Sequence, residues 1–364
     1  MSGFLTYHWR QYDWLLTIAV VLLATIGLVA LYSLALASQT PDWDSLIKQA
    51  VALVLGLAAF IGMSFFDYHL WEKYAGWLYG FGMMLLAGVL LFGATIRGTQ
   101  GWFVLGGFNF QPVEAVKIIL IIVLAAYLAR RTWPLNQLRH FIGAGLITAG
   151  PVILTMLQPD FGSAFLLLLI LGSLIVLIGP RRRHWLLFGV LGIVTLMIAW
   201  YGIFAPYQKE RVMTFLNPSA DPLGAGYNVS QSMIAVGAGQ WFGRGLGFGS
   251  QSQLKFLPAA QTDFMFAVIA EGLGMVGVVL VLGLFTVVIV RLWQTAQRCR
   301  DNFGLFLVAG VTCLLFTQVV LNIAVTMGVA PVTGVTLPLI SYGGSSLILT
   351  LAALGLTQSV RLHS

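Results

Sequence analysis

Residues 14–36 read WLLTIAVVLLATIGLVALYSLAL, a stretch without one charged side chain. About 20 mostly apolar residues are enough to cross the hydrocarbon core of a bilayer as a helix. The pattern recurs along the chain. Apolar windows predict helices near 14–36, 47–65, 75–95, 113–129, 140–158, 161–180, 184–205, 264–290, 305–328 and 345–360. The expected architecture is an all-α polytopic membrane protein of about ten transmembrane helices, forming a single transmembrane domain over residues 1–364.

Composition agrees. Charged residues make up 9% of the chain and hydrophobic ones 59%, against about 25% charged in a soluble domain. The net charge of +7 would suit a nucleic-acid partner if the basic residues shared one soluble face, but they fall in short segments between apolar runs. No nucleic acid is therefore expected. Cys299 lies in a basic segment and Cys313 in an apolar one, which argues against a disulfide framework, a cysteine metal site or redox chemistry. Residues Met1 to Asp13 carry Arg10 and two tyrosines, and the apolar run that follows lacks a small-residue cleavage site, so it reads as a retained first helix.

Positive residues in short loops stay on the cytoplasmic side. With the N-terminus inside, twelve Lys and Arg fall on the cytoplasmic side and six outside, with Lys117 inside a helix. Both termini are then expected in the cytoplasm. The segment 206–263, rich in Gly and Pro, becomes a large extracytoplasmic loop between helices 7 and 8. It is too long for a passive connection, so function is expected there. No fixed-period repeat and no pair of interrupted helices of the kind that marks many transporters is visible.

Ionisable groups within membrane helices are costly and mark candidate sites. Glu114 and Lys117 follow Pro112 at a helix start, and their i, i+3 spacing places them on one face. They read either as a structural ion pair or as a contact for an anionic headgroup, with Lys117 positioned by Glu114. Asp160, in Gln158-Pro159-Asp160-Phe161-Gly162-Ser163, is either a turn residue and helix cap or a carboxylate facing the outer cavity. Glu271 reads as a buried packing residue, and Gln318 with Asn322 as polar glue between helices. Asp263 stands where the long segment enters the eighth helix; position alone favours a cap and cannot separate that from catalysis.

The glycine-rich run Gly237 to Gly249 lacks both the preceding strand and the following Lys-Ser/Thr of a phosphate loop. A flexible or re-entrant loop that admits an acceptor is expected instead. Near the C-terminus, Thr336-Leu337-Pro338-Leu339-Ile340-Ser341-Tyr342-Gly343-Gly344-Ser345-Ser346 reads as a tight turn, as a polar cavity rim including Ser341, or as both.

Taken together, five segments strongly resemble the SEDS family (shape, elongation, division and sporulation), in order and over nearly the whole chain. They are Phe110-Gln111-Pro112-Val113-Glu114, Gln158-Pro159-Asp160, Asp221-Pro222-Leu223-Gly224-Ala225-Gly226-Tyr227, Phe256-Leu257-Pro258 with Thr262-Asp263-Phe264, and Ser341-Tyr342-Gly343-Gly344-Ser345-Ser346. The short N-terminal tail, the Asp221 to Tyr227 segment and Gln251-Ser252-Gln253-Leu254 are similar to the elongation branch rather than the division branch. Departures from the family pattern are Gly101 before Trp102, where Arg is frequent, Gln240 in place of a loop Gly, Asn228 after Tyr227, and Gly272 after Glu271. The first leaves Arg97 to supply charge there.

The resemblance implies a peptidoglycan glycosyltransferase in the bacterial cytoplasmic (inner) membrane, working at its outer face. It implies lipid II as building block, a nascent glycan strand as product, a class B penicillin-binding protein and other elongation-complex proteins as partners, and Mg²⁺ or Mn²⁺ as cofactor. Asp263 corresponds to the family's essential aspartate, which overturns the cap-first reading, and Glu114, Lys117 and Asp160 match conserved polar positions. Asp263 would act as general base, while Lys117, Arg211 and Arg97 would stabilise the departing pyrophosphate. Asp160 and Asp263 are the available oxygen ligands for a cation, although no metal-ligand motif is legible. A lipid II flippase is the competing class and a binding-only scaffold the third. Clustering of the informative polar residues at the outer end favours the enzyme.

Overall fold

The computed structural model describes residues 11–37, 43–96, 98–131, 137–203, 206–216, 225–249, 256–257 and 259–363. Arg10, Arg97, Asp221 to Gly224, the Gln251 to Leu254 segment, Lys255 and Pro258 lie outside the described residues.

Helices dominate. In chain order they are α1 (Trp14–Ala37), α2 (Trp43–Phe65), α3 (His69–Phe92), α4 (Pro112–Ala129), α5 (Leu138–Leu157), α6 (Phe161–Ile178), α7 (Arg182–Ile198), α8 (Pro206–Leu216), α9 (Ala225–Ala238), α10 (Met265–Arg298), α11 (Asn302–Thr326) and α12 (Gly344–His363). Among the described residues nine are long and apolar enough to span a membrane: α1 to α6 and α10 to α12. The seventh expected span, 184–205, is occupied among the described residues by α7 followed at once by the π-helical turn Ala199–Ile203, and is not among those nine.

Alternating directions put the starts of α2, α4, α6, α10 and α12 at one end of the bundle and those of α1, α3, α5 and α11 at the other. The centre belongs to α4 and α11. Ile119 to Ala126 of α4 are buried without interruption, as expected of a helix that is apolar all round and enclosed by neighbours. Around this axis pack α3, α6, α10 and α12, while α2 pairs along its length with α12 and α1 with α10. Val54 and Trp77, on the outer helices α2 and α3, point away from the bundle.

The end opposite the cavity described below is tied by charge. Asp13 is 1% exposed and accepts from Arg291 Nε at 2.9 Å and Arg361 Nη1 at 2.5 Å, joining α1, α10 and α12. Its Oδ1 also takes the Leu16 N–H at 3.1 Å and so caps α1. On the same end Tyr68 donates its hydroxyl to Asp301, the residue that caps α11.

Three features depart from the sequence reading. A small antiparallel sheet, β1 (Ala94–Ile96), β2 (Thr99–Leu105) and β3 (Phe108–Phe110), connects α3 to α4. Its second turn is Gly106-Gly107 with φ of 54° and 90°, the two-residue hairpin geometry that needs positive φ at both positions. The expected long external loop, 206–263, holds α8 and α9, and α9 packs on α10. Finally, α10 is interrupted. Gly274 has φ 65° and ψ −160° in the middle of the helix, conformations open essentially only to glycine.

The glycine-rich run fills that interruption. Met275 N donates to Gln240 O at 2.8 Å and Val276 N to Trp241 O at 3.1 Å, while Arg244 N and Gly245 N donate to Glu271 O and Gly272 O at 2.9 and 3.1 Å. Backbone groups freed by a break inside a helix need other hydrogen-bond partners, and the run supplies them. Of the two expectations, a flexible or a re-entrant loop, the flexible one is corrected: residues 240–245 are pinned into α10. Gln240, where the family pattern has Gly, carries a positive φ of 47° at the entry to this insertion.

Candidate active site

A cavity of about 370 Å³ opens at the end where α2, α4, α6, α10 and α12 begin. Its wall draws on Trp102, Phe108 and Asn109 of the sheet, the first turns of α4 and α6, Gln208 and Arg211 of α8, residues 261–263, the extended stretch 331–336, and 342–346 at the entry to α12. Four helices, α4, α6, α10 and α12, thus bring their N-terminal ends to one space. Each end contributes the partial positive charge of a helix N-terminus, which makes the cavity hospitable to an anion even where its side-chain charges balance.

Those charges are specific. Lys48, Lys117 and Arg211 line the wall together with Glu114, Asp160 and Asp263. Pro112 opens α4 where its missing N–H costs nothing, and one turn later Lys117 Nζ meets Glu114 Oε2 at 2.7 Å, the two side chains 3% and 12% exposed. Both readings of this pair coexist: it is an ion pair, and it lines the cavity. Asp160 is likewise both things at once. It caps α6 through Ser163 N at 3.0 Å, accepts from Ser163 Oγ at 2.7 Å and from Gln111 Nε2 at 3.2 Å, and lies in the wall. Burial pushes its carboxyl above the ordinary range, opposed by the Ser163 hydrogen bonds and the Lys117 charge.

Asp263 lies in the turn before α10. The cap position falls on Phe264, which makes no side-chain cap bond, and Asp263 contributes to the cavity wall. Its backbone is held twice. Its N–H donates to Ala259 O at 3.1 Å, and its carbonyl accepts from Asn322 Nδ2 at 2.9 Å. The same Asn322 amide donates to Val335 O at 2.8 Å, so this glue residue binds α11, the Asp263 turn and the 331–336 stretch together. Gln318, one turn earlier on α11, lines the cavity.

Other expected residues go elsewhere. Ser341 is buried and its hydroxyl accepts from Leu337 N at 3.0 Å, while Ser345 and Ser346 form the wall. Gln158 donates to Leu86 O at 3.1 Å. Glu271 is buried among α10 and the glycine-rich run, outside the cavity wall. Arg211 reaches Val332 O at 3.4 Å across the cavity.

Sequence reasoning missed Lys48, Trp102, Phe108 and Asn109. The aromatic pair had a legible signal, Gly106-Gly107 between two short alternating runs, which marks a hairpin. Lys48 had none, because only the packing of α2 shows that this residue of its second turn faces the cavity.

Comparison with known proteins covers almost the whole chain. Residues 13–364 match the FtsW–RodA–SpoVE family, described as cell cycle proteins. The chain is 37% identical over 350 residues to the peptidoglycan glycosyltransferase MrdB of Escherichia coli K12, covering 95% of this chain and 93% of that one. It is 38% identical over 323 residues to a probable peptidoglycan glycosyltransferase FtsW of Nitrosococcus halophilus, covering 87% and 82%. Among solved structures it resembles a chain from a study of how a peptidoglycan synthase complex coordinates polymerization and crosslinking, with TM-score 0.82, 39% identity and coverage of 96% and 97%. It also resembles the rod shape determining protein RodA of Thermus thermophilus, with TM-score 0.72, 34% identity and coverage of 96% of both chains.

Proposed function

The chain belongs to the FtsW–RodA–SpoVE family, and on that premise we propose that it is a peptidoglycan glycosyltransferase polymerising lipid II into β-1,4 glycan strands during cell elongation. One observation carries the reading. Asp263, Glu114, Lys117 and Asp160 share a single cavity at one end of the bundle, and beneath it the central helices α4 and α11 are packed with buried apolar side chains. A carrier that moved a charged headgroup across the membrane would need polar groups through its depth. A synthase needs them at one level.

In the proposed reaction the Asp263 carboxylate takes the proton of the acceptor 4-hydroxyl as its oxygen attacks the anomeric carbon of the donor. The bond from that carbon to the pyrophosphate oxygen breaks with inversion, and undecaprenyl pyrophosphate leaves with the electron pair. Lys117, Arg211 and Lys48, with the four helix N-termini, stabilise the developing negative charge. Glu114 and Asp160 hold Lys117 and the start of α6 in place. Among the described residues no group of three or more His, Cys, Asp and Glu converges as a metal site. Glu114 is engaged by Lys117 and Asp160 by Ser163 and Gln111; Mg²⁺ or Mn²⁺ would be held by oxygens of Asp160 and Asp263 together with the substrate. A divalent cation enters this proposal only as a companion of the substrate pyrophosphate, and no step above depends on it.

The proposed partner is a class B penicillin-binding protein that cross-links the strands, as the likeness to a chain of a synthase complex supports. The proposed setting is the bacterial cytoplasmic membrane with the cavity facing outward. Arg130, Arg131, Arg139, Arg181, Arg182, Arg298 and Arg361 fall at the end opposite the cavity, which the positive-inside rule places in the cytoplasm.

The test is polymerisation of labelled lipid II by the purified protein with its partner, comparing wild type with a folded Asp263→Asn variant. Glycan from wild type and none from the variant is the expected result. Equal activity would remove Asp263 from the mechanism, and no glycan from either, with lipid II flipping in proteoliposomes, would replace the synthase reading by transport.

A further inference from the structure

We propose that the hairpin 240–248 is a bilayer-interface anchor, seated in the lipid headgroup layer at the end of the bundle that carries the cavity. The hairpin is rigidly held yet strongly apolar outside. Four backbone hydrogen bonds fasten its base into the break of α10, and Gly247 N donates to Ser33 Oγ of α1 at 2.7 Å. Despite this, Trp241, Phe242 and Phe248 are 71%, 85% and 73% exposed, with the exposed Arg244 between them. A well-ordered surface does not present that much aromatic area to water without an occupant.

Two independent measures of height make that occupant lipid. Along α1, Asp13 and Ser33 are separated by twenty residues, roughly 30 Å of helix. Along α10, Gly274 and Arg291 are separated by seventeen, roughly 26 Å. Asp13 and Arg291 pair with each other at 2.9 Å, so both rulers start from one level and both end at the hairpin. A hydrocarbon core is about 30 Å thick, so the hairpin falls at its far boundary. Tyr32 and Trp43 meet there too, with ring centroids 5.9 Å apart. This is the layer where Trp and Tyr concentrate and where Arg keeps its charge among headgroups while its neighbours enter the acyl region. The surface is also continuous with lipid-facing helix: Met275 and Val276, bonded to the hairpin through their N–H groups, are themselves exposed apolar residues.

The anchor would fix the height of the α10 break, and through the short helical piece 265–273 the height of Asp263, relative to the bilayer. That consequence does not depend on the reaction Asp263 performs.

The experiment places a nitroxide at Phe242→Cys and, separately, Phe248→Cys, in a Cys299→Ser, Cys313→Ser background reconstituted in phospholipid vesicles. Collisions with oxygen, which concentrates in lipid, and with a water-soluble nickel chelate are compared with those at Val279→Cys, on the lipid-facing side of α10, and at Glu210→Cys, an exposed position of α8. Both hairpin sites should show an oxygen-to-nickel ratio several-fold above Glu210→Cys and below Val279→Cys. Nickel access equal to Glu210→Cys would mark an aqueous loop, and shielding from both reagents a protein-covered one; either overturns the proposal. Because both positions are highly exposed, labelling leaves the fold intact, and an unchanged elution profile checks this.

Discussion

Gly274→Ala separates a built hinge from an incidental irregularity. At φ 65° and ψ −160° an alanine is strained by about 2 kcal/mol. An added Cβ would also lie 2.3 Å from Gly243 N and 2.7 Å from both Phe242 N and Trp241 C. All three are backbone atoms, so no side-chain rotation relieves the overlap and the hairpin must move. Four hydrogen bonds to α10 hold it there. If half are lost at about 1 kcal/mol each, the total comes to about 4 kcal/mol, a large share of the margin of an ordinary protein. The expected outcome is a melting midpoint several degrees lower in detergent, together with faster amide exchange at Arg244, Gly245, Met275 and Val276, while amides at the Asp13 end of α1 exchange as before. A variant with unchanged midpoint and unchanged protection at those four amides would refute the reasoning. So would a more stable protein, since that would mean α10 straightens without cost.

The node at the opposite end is the second prediction. Asp13→Asn leaves Arg291 and Arg361 facing each other without their carboxylate and should lower stability by roughly 3 kcal/mol, seen as a lower unfolding midpoint; an unchanged midpoint would mean the node is ornamental. For the α4 pair, Lys117→Met strands the Glu114 carboxylate and should destabilise by about 3 kcal/mol, whereas Lys117→Met with Glu114→Leu should recover most of that while lacking polymerase activity. Thermal unfolding and glycan synthesis read the two effects separately, and an active double variant would remove the pair from the mechanism. Asp160 predicts a pH effect. Its carboxyl is held above its ordinary value of 3.8, so the stability it contributes is complete below 3.8 and is lost as pH rises through the higher folded value. Asp160→Asn keeps the cap on Ser163 and removes that loss. Wild type should therefore lose more midpoint than the variant between pH 4 and neutrality, and parallel curves would contradict the assignment.

Length and hydropathy alone determined the membrane class and the approximate course of the spans, because an uncharged apolar run near 20 residues has one low-energy solution in a bilayer. The Pro112, Glu114 and Lys117 spacing likewise announced an ion pair, since i, i+3 neighbours on a helix meet whatever surrounds them. Asp160 and Asp263 were visible as residues at helix starts, but their convergence was not. It arises from packing α4, α6, α10 and α12 so that their N-termini face one space, a relation among segments more than 200 residues apart. Hydropathy also passed over the break at Gly274, because apolar residues dominate on both sides of it despite Glu271, and the partners that satisfy its backbone lie some 30 residues earlier, in a glycine-rich stretch that by itself looks unstructured. Ser341 and Lys48 exchanged places for the same reason: the sequence shows which side chains are polar, and only the packed helices decide which of them turn toward the cavity.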